Sequence, residues 1–145
     1  MAPASKAIDC AFFDIGGTLG DRDPVSGKLI PFSSTVKMLT AAKAALGLRI
    51  GVITTLGILT DAQGMKLLEQ AGLDVFLDPK GFVSEHLAGV GKPDPAIYQF
   101  AADQMEVPIE RCLFVGENLI EVMGAMTAGM QAVLKPNPPG RELPV

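Results

Sequence analysis

An open, doubly wound α/β fold with a sheet of about five parallel strands is predicted by three features of this sequence. Short continuous apolar runs alternate with segments of helical period, as in a parallel sheet buried on both faces. Each pair of runs is separated by an excursion long enough for a crossover. The chain has 145 residues, 48% hydrophobic and 19% charged, enough for one well-filled core, which excludes a disordered or coiled-coil chain and a second sizeable domain.

The first strand is predicted over 8–13, where Cys10-Ala11-Phe12-Phe13 ends at Asp14. Segment 15–33, rich in Gly, Asp and Pro, is a loop, and residues 20–32 within it form either a solvated hairpin-like turn or a short lid carrying Arg22 and Lys28. A helix follows over 35–46: Ser33 or Ser34 serves as cap, Val36, Leu39, Ala42 and Leu46 recur at helical spacing, and Gly47 closes it. The second strand spans 48–54. The next helix begins near Asp61, turns Met65, Leu68 and Ala71 inward and stops at Gly72, and a third strand is predicted at 73–77. After a linker over 78–94, Asp94-Pro95 pairs a capping carboxylate with a proline suited to the first helical position, ahead of the stripe Ile97, Phe100, Ala101 and Met105. The fourth strand is 111–115. Asn118 caps a last helix whose inner face is predicted as Leu119, Val122, Met123 and Met126, and the fifth strand is 131–134. Residues 1–135 form the single domain, followed by a Pro-rich tail over 136–145.

Sixteen acidic residues against twelve basic give a formal net charge of −4, with no Lys/Arg cluster, so a general electrostatic grip on nucleic acid or anionic membrane is not expected. Cys10 and Cys112 both lie in apolar runs and read as buried structural thiols. No leader-like segment and no apolar run of the ~20 residues needed to span a membrane is visible, so a cytoplasmic location is expected.

Ligands of such sheets bind at the carboxyl ends of the strands beside the switch point. There the sequence places Asp14 with Gly16 and Gly17, Thr54 with Thr55, and Glu117, while Lys92 stands in a proline-restricted loop. Taken singly each has a structural reading: a turn aspartate, a cap threonine, a solvated lysine, a glutamate in a helix's first turn. Together, acids that hold a divalent cation and amides, hydroxyls and an ammonium that hold anionic oxygens suit a phosphoryl group bound with Mg²⁺.

The segments Asp14-Ile15-Gly16-Gly17-Thr18-Leu19, Thr54, Gly91-Lys92-Pro93-Asp94-Pro95-Ala96-Ile97-Tyr98 and Phe114-Val115-Gly116-Glu117-Asn118-Leu119-Ile120-Glu121 resemble the four ordered motifs of the haloacid dehalogenase superfamily, with coverage from about residue 8 to 135. That resemblance implies a Rossmann-like sheet with the first strand central and Asp14 as a nucleophile forming an aspartyl-phosphate. It also implies Thr54 and Lys92 on the phosphoryl group, with Gly17 and Thr55 beside it. Mg²⁺ would be held by Asp14, the Gly16 carbonyl and a carboxylate of the fourth motif, Glu117 with help from Glu121.

Three departures stand out. Gly16 occupies the position where the family's phosphatases usually carry an aspartate acting as general acid and base, a role worth about 10²–10⁴ in rate. His86 could substitute from the 78–94 loop, although a surface histidine is the plainer reading. Glu117 replaces the usual aspartate and is one methylene longer, and Thr55-Leu56-Gly57 differs from the usual asparagine and glycine. The intervals from Asp14 to Thr54 and from Thr54 to Lys92, 40 and 38 positions, are filled by core elements and leave no room for the family's cap domain. The expected function is therefore capless, Mg²⁺-dependent phosphomonoester hydrolysis, with a phosphorylated small molecule or macromolecule as partner. The alternative is a catalytically impaired member that binds a phosphorylated ligand or protein. Carbon–halogen or carbon–phosphorus cleavage by the same nucleophile is a third reading that no feature specifically supports. Met123, Met126 and Met130 allow a homo-oligomeric contact or serve as core.

Overall fold

The computed structural model describes residues 7–136. A parallel sheet of order β5-β4-β1-β6-β7 is formed by β1 (Cys10–Phe13), β4 (Arg49–Thr54), β5 (Phe82–Ser84), β6 (Cys112–Gly116) and β7 (Gln131–Leu134), with β1 at its centre. Between β1 and β4 lie an antiparallel hairpin, β2 (Gly20–Arg22) and β3 (Leu29–Pro31), and α1 (Thr35–Thr40), which winds on as a π-helical turn over Ala41–Ala45. The remaining helices are α2 (Asp61–Gln70), α3 (Glu85–Ala88), α4 (Pro95–Met105) and α5 (Leu119–Ala128).

Alternation along β1 divides the core in two. Cys10 and Phe12 face a cluster with Ile53, Ile97, Tyr98, Met105, Phe114 and Ala125, beneath α4 and α5. Ala11 and Phe13 face the other, with Leu19, Leu29, Leu39, Ile50 and Leu68, which α1, α2 and the hairpin cover. Cys10 and Cys112 sit opposite each other in the β1–β6 register and are fully buried. A side-chain hydrogen bond to Cys112, then burial, pushes the Cys10 thiol far up, in keeping with two structural thiols.

The predicted caps at Asp94 and Asn118 are realised, and the helix expected near Asp61 starts there with Thr60 as its cap. Thr60 and Gln63 form a reciprocal capping box, Asp94 accepts from Ala96 N–H at 2.9 Å with Pro95 in the first turn, and Asn118 accepts from Glu121 N–H at 3.1 Å. Ser34 precedes α1 without a side-chain cap bond.

Three expectations are corrected. Residues 73–77 are not a strand: Asp74–Phe76 wind as a 3₁₀ turn, with Leu73 buried as the plug beneath α2 and Val75 68% exposed. The edge strand is instead β5, whose three residues are too short to register as an apolar run. On α5 the inner face is Val122, Gly124 and Ala125, while Leu119, Met123 and Met126 are exposed and only Met130, past the helix, is core. Small residues face inward because α5 packs closely on the loop before α4: a Cβ at Gly124 would collide with the Pro93 carbonyl oxygen. On α1, Val36 and Leu46 are exposed, and Leu39 and Ala42 carry the packing.

Residues 20–32 are the β2–β3 hairpin, anchored through Leu19, Leu29 and the Thr35 hydroxyl, which donates to Leu19 O at 2.6 Å. The Asp14–Thr54 interval holds only this hairpin, α1 with its π-helical turn and β4, and the Thr54–Lys92 interval only α2, the 3₁₀ turn, β5 and α3. Of the predicted tail, all but Pro136 lies outside the described residues. Among the described residues no helix is long and apolar enough to cross a membrane.

Candidate active site

The topology reverses at β1, with β4 on one side and β6 on the other, and their carboxyl ends open a crevice there. Asp14 stands at its floor, tied to β6 by its backbone N–H, which donates to Val115 O at 3.0 Å. Its Oδ1 accepts two bonds, from Ile15 N–H at 2.8 Å and from Lys92 Nζ at 2.8 Å.

Lys92 is the most deeply set charge of the crevice, its side chain 2% exposed. Its ammonium pairs with Asp14 Oδ1 and, at 2.7 Å, with Glu121 Oε1. It also lies 5.6 Å from the centroid of the Phe114 ring, a further favourable contact for a buried cation. Tyr98, fully buried, packs edge-on to Phe114 at 5.4 Å and donates its hydroxyl to the Glu121 carbonyl at 2.6 Å. Burial, then the charges of Glu121 and Asp14, push that hydroxyl well above the usual tyrosine range, so it stays a donor. α4 and α5 are thereby joined under the lysine.

Glu117 leaves the end of β6 and lays its carboxylate against Gly17. A Cβ at Gly17 would fall 2.6 Å from the Glu117 carboxylate carbon, and the residue's φ of +77° is itself one that favours glycine. Gly17 is thus the cradle of Glu117. Gly16, one residue earlier, is exposed, and a Cβ built there meets nothing within 4 Å. Thr54 is buried at the end of β4 and Thr55 is exposed beside it.

The loop after Thr54 is held from an unexpected quarter. The Glu85 carboxylate accepts from Leu56 N–H at 2.8 and 3.0 Å and from Gly57 N–H at 3.0 Å. Burial works to raise this carboxyl, but the two N–H groups outweigh it and hold it below its ordinary value. Ser84 Oγ donates to Asp61 at 2.5 Å and His86 Nε2 lies 2.9 Å from Leu59 O, so three consecutive residues clasp the 56–61 loop. His86 is exposed and engaged there.

The structure thus brings Asp14, Lys92 and Glu121 into direct contact and sets Glu117 against Gly17. Sequence reasoning missed Tyr98, Glu85 and Gly124. Tyr98, the chain's one tyrosine, six residues after Lys92, carried a signal; Glu85 and Gly124 acquire their roles only through contacts distant in sequence.

Two carboxylates, Asp14 and Glu121, pair with the one ammonium, and a third, Glu117, lies against Gly17 in the nucleophile loop, an excess of negative charge that suits a divalent cation. Among the described residues no three acidic, histidine or cysteine side chains close a full metal cage. Because Lys92 pairs with Glu121 Oε1 and with Asp14 Oδ1, the oxygens open to a cation are Asp14 Oδ2, Glu121 Oε2, the Glu117 carboxylate in its glycine cradle and backbone carbonyls. That small donor set fits magnesium, which keeps several of its waters.

The model of the haloacid dehalogenase-like hydrolase family matches residues 25–129. The chain is 38% identical over 88 residues to Phosphatase MT3486 of Mycobacterium tuberculosis (strain CDC 1551 / Oshkosh), covering 61% of this chain and 39% of that protein. It is 30% identical over 113 residues to the haloacid dehalogenase-like hydrolase domain-containing protein At4g39970 of Arabidopsis thaliana, covering 75% and 34% respectively. A dehalogenase solved with an intermediate complex superposes with a TM-score of 0.65 at 28% identity, over 77% of this chain and 48% of that one. The chain spans a little over a third of the length of these two curated relatives.

Proposed function

The chain belongs to the haloacid dehalogenase-like hydrolases, and from that premise we propose that it hydrolyses phosphomonoesters through a covalent intermediate on Asp14. The observation that carries the reading is the Lys92 ammonium, 2% exposed and held between Asp14 and Glu121 at 2.8 and 2.7 Å. A charge so deeply set is tolerated when paired, and here it fixes Oδ1 of the nucleophile and offers a donor to a phosphoryl oxygen.

In this scheme an Asp14 carboxylate oxygen attacks phosphorus, the ester P–O bond breaks and the aspartyl-phosphate forms; water then attacks phosphorus and returns the carboxylate. Thr54 and the Gly16 N–H hold the transferring oxygens, with Thr55 at the rim, while the Gly17 N–H, donated to Gly20 O at 2.9 Å, keeps the loop in shape around them. Glu121 holds the Lys92 ammonium in place at 2.7 Å. Asp14 and Glu117, with the Gly16 carbonyl, would hold Mg²⁺. When bound, the cation supplies charge neutralisation between the carboxylates and the incoming phosphoryl group. With Gly16 where an acid would stand, the departing oxygen takes its proton from water, so good leaving groups, aryl and acyl phosphates, are favoured over alkyl esters.

The relative named a phosphatase supports this choice of reaction. The test is a rate comparison over aryl, acyl and alkyl phosphates with Mg²⁺, for wild type and Asp14→Asn. Turnover that needs Mg²⁺ and falls by roughly 10³-fold or more in the variant is expected; turnover indifferent to Asp14→Asn would sink the proposal. The open position at Gly16 favours a second reading, a member that binds phosphate-bearing ligands without turning them over. Retained binding of a phosphate mimic with no turnover on any of the three ester classes would select it.

A further inference from the structure

Two cavities continue the crevice away from Lys92. The nearer, about 160 Å³, is lined by Gly16, Thr54 and Thr55 on the side of the nucleophile and by Leu29, Leu56 and Arg22 beyond. The farther, about 180 Å³, is lined by Gln63, Lys66 and Gln70. They share Arg22, Leu59 and Leu67, so they form one trough running from Gly16, between the β2–β3 hairpin and α2, to Lys66. Taken together those two volumes fall at the lower end of the ~300–1,000 Å³ of small-ligand sites.

Its chemistry changes along its length. Next to Gly16 the walls are leucines. At the waist stands Arg22, whose Nε donates to Gly27 O at 3.0 Å, fixing the guanidinium while leaving its Nη donors uncommitted. At the far end is Lys66. Neither Arg22 nor Lys66 is paired with a carboxylate among the described residues, although the chain is acidic overall. An apolar stretch ended by two unpaired cations suits a ligand with a short apolar stem and a second anion.

We infer that this trough is the leaving-group site, and that the substrate is a small phosphomonoester carrying a second anionic group, carboxylate or phosphate, on a short aliphatic stem. The phosphoryl group lies over Asp14, the stem crosses the leucine walls beside Gly16, and Arg22 and then Lys66 take the distal anion. The inference rests on the phosphohydrolase reading and narrows its substrate class.

Calorimetric titration in Mg²⁺ with unreactive phosphonates tests it without requiring turnover. Propylphosphonate is compared with 3-phosphonopropanoate and propane-1,3-bisphosphonate, on wild type, Arg22→Gln and Lys66→Gln. At least one doubly anionic ligand is expected to bind roughly tenfold more tightly than propylphosphonate. That preference should shrink towards unity in Arg22→Gln and fall partway in Lys66→Gln, with propylphosphonate affinity unchanged in both. Propylphosphonate binding with no gain from either second anion overturns this inference alone, as does a gain that both variants retain. No phosphonate binding at all overturns it together with the phosphohydrolase reading.

Discussion

Glu117 rests on Gly17 at a distance that leaves no room for a side chain: a Cβ would lie 2.6 Å from both the carboxylate carbon and Oε1. Gly17→Ala therefore does two separable things. The left-handed φ of +77° costs about 1–2 kcal/mol of stability in an alanine. The carboxylate, being the free end of a flexible side chain, swings away and takes the proposed cation donor with it. Magnesium titrations followed by thermal shift should show a half-saturation raised roughly tenfold or more. An unaltered magnesium response would mean that Glu117 holds no cation.

Gly16 gives the opposite expectation. Its neighbour cannot accept a Cβ, but Gly16 has an ordinary φ and nothing within 4 Å of the position a Cβ would take. Gly16→Asp therefore fits without displacing anything and places a carboxyl at the mouth of the trough. Supplying a proton donor where none stands should raise kcat on alkyl phosphomonoesters by about 10²–10³, and on aryl phosphates much less. The ratio of the two gains is the diagnostic, since a general improvement in folding would raise both alike.

The strands β1, β4, β6 and β7, four of the five helices and the residues Asp14, Lys92, Glu117 and Glu121 were legible because each is announced locally, by an apolar run, a cap or a motif at a strand end. What was not legible depends on proximity in space. β5 is a strand because Gly81 lets the chain pass against β4, where a Cβ would meet Ile50 O at 2.7 Å; its three residues carry no period. The exposure of Leu119, Met123 and Met126 follows from the closeness of α5 to Pro93, which turned the helix so that Gly124 and Ala125 face inward. Glu85 and the loop it clasps are 28 and 29 residues apart.

Gly124 reverses the usual rule for helices. An exchange of glycine for alanine in a helix ordinarily stabilises by about 0.5–1 kcal/mol. At Gly124 the new methyl meets backbone, the Pro93 carbonyl, which cannot move without moving Lys92. Gly124→Ala should therefore destabilise by about 1–3 kcal/mol and lower kcat through the displaced lysine. Gly64→Ala on α2 is the control. There the nearest atom is Leu56 Cδ2 at 2.7 Å, the end of a side chain that can rotate, so the loss should be smaller. Urea denaturation of the two variants, with slopes compared to wild type, checks the ordering.

Glu85 links pH to the loop behind Thr54. Its carboxyl is held below its ordinary value by the N–H groups of Leu56 and Gly57, against the opposing effect of burial. A depressed value in the folded state means that the contribution is fully present above the ordinary glutamate value of about 4.3 and is lost as pH falls through the depressed one. Near neutral pH Glu85→Ala should cost roughly 1–2 kcal/mol, since both amides lose a charged acceptor at a partly solvated site. Glu85→Gln, which keeps one acceptor oxygen, should cost less. As pH falls through the depressed value of the carboxyl, the stability gap between wild type and Glu85→Gln should close. Amide exchange at Leu56 and Gly57 should accelerate in wild type over the same interval, while exchange in β4 stays slow. If the gap instead stays constant through that range, the carboxylate charge is not what holds the loop, and the clasp would rest on Ser84 and His86 alone.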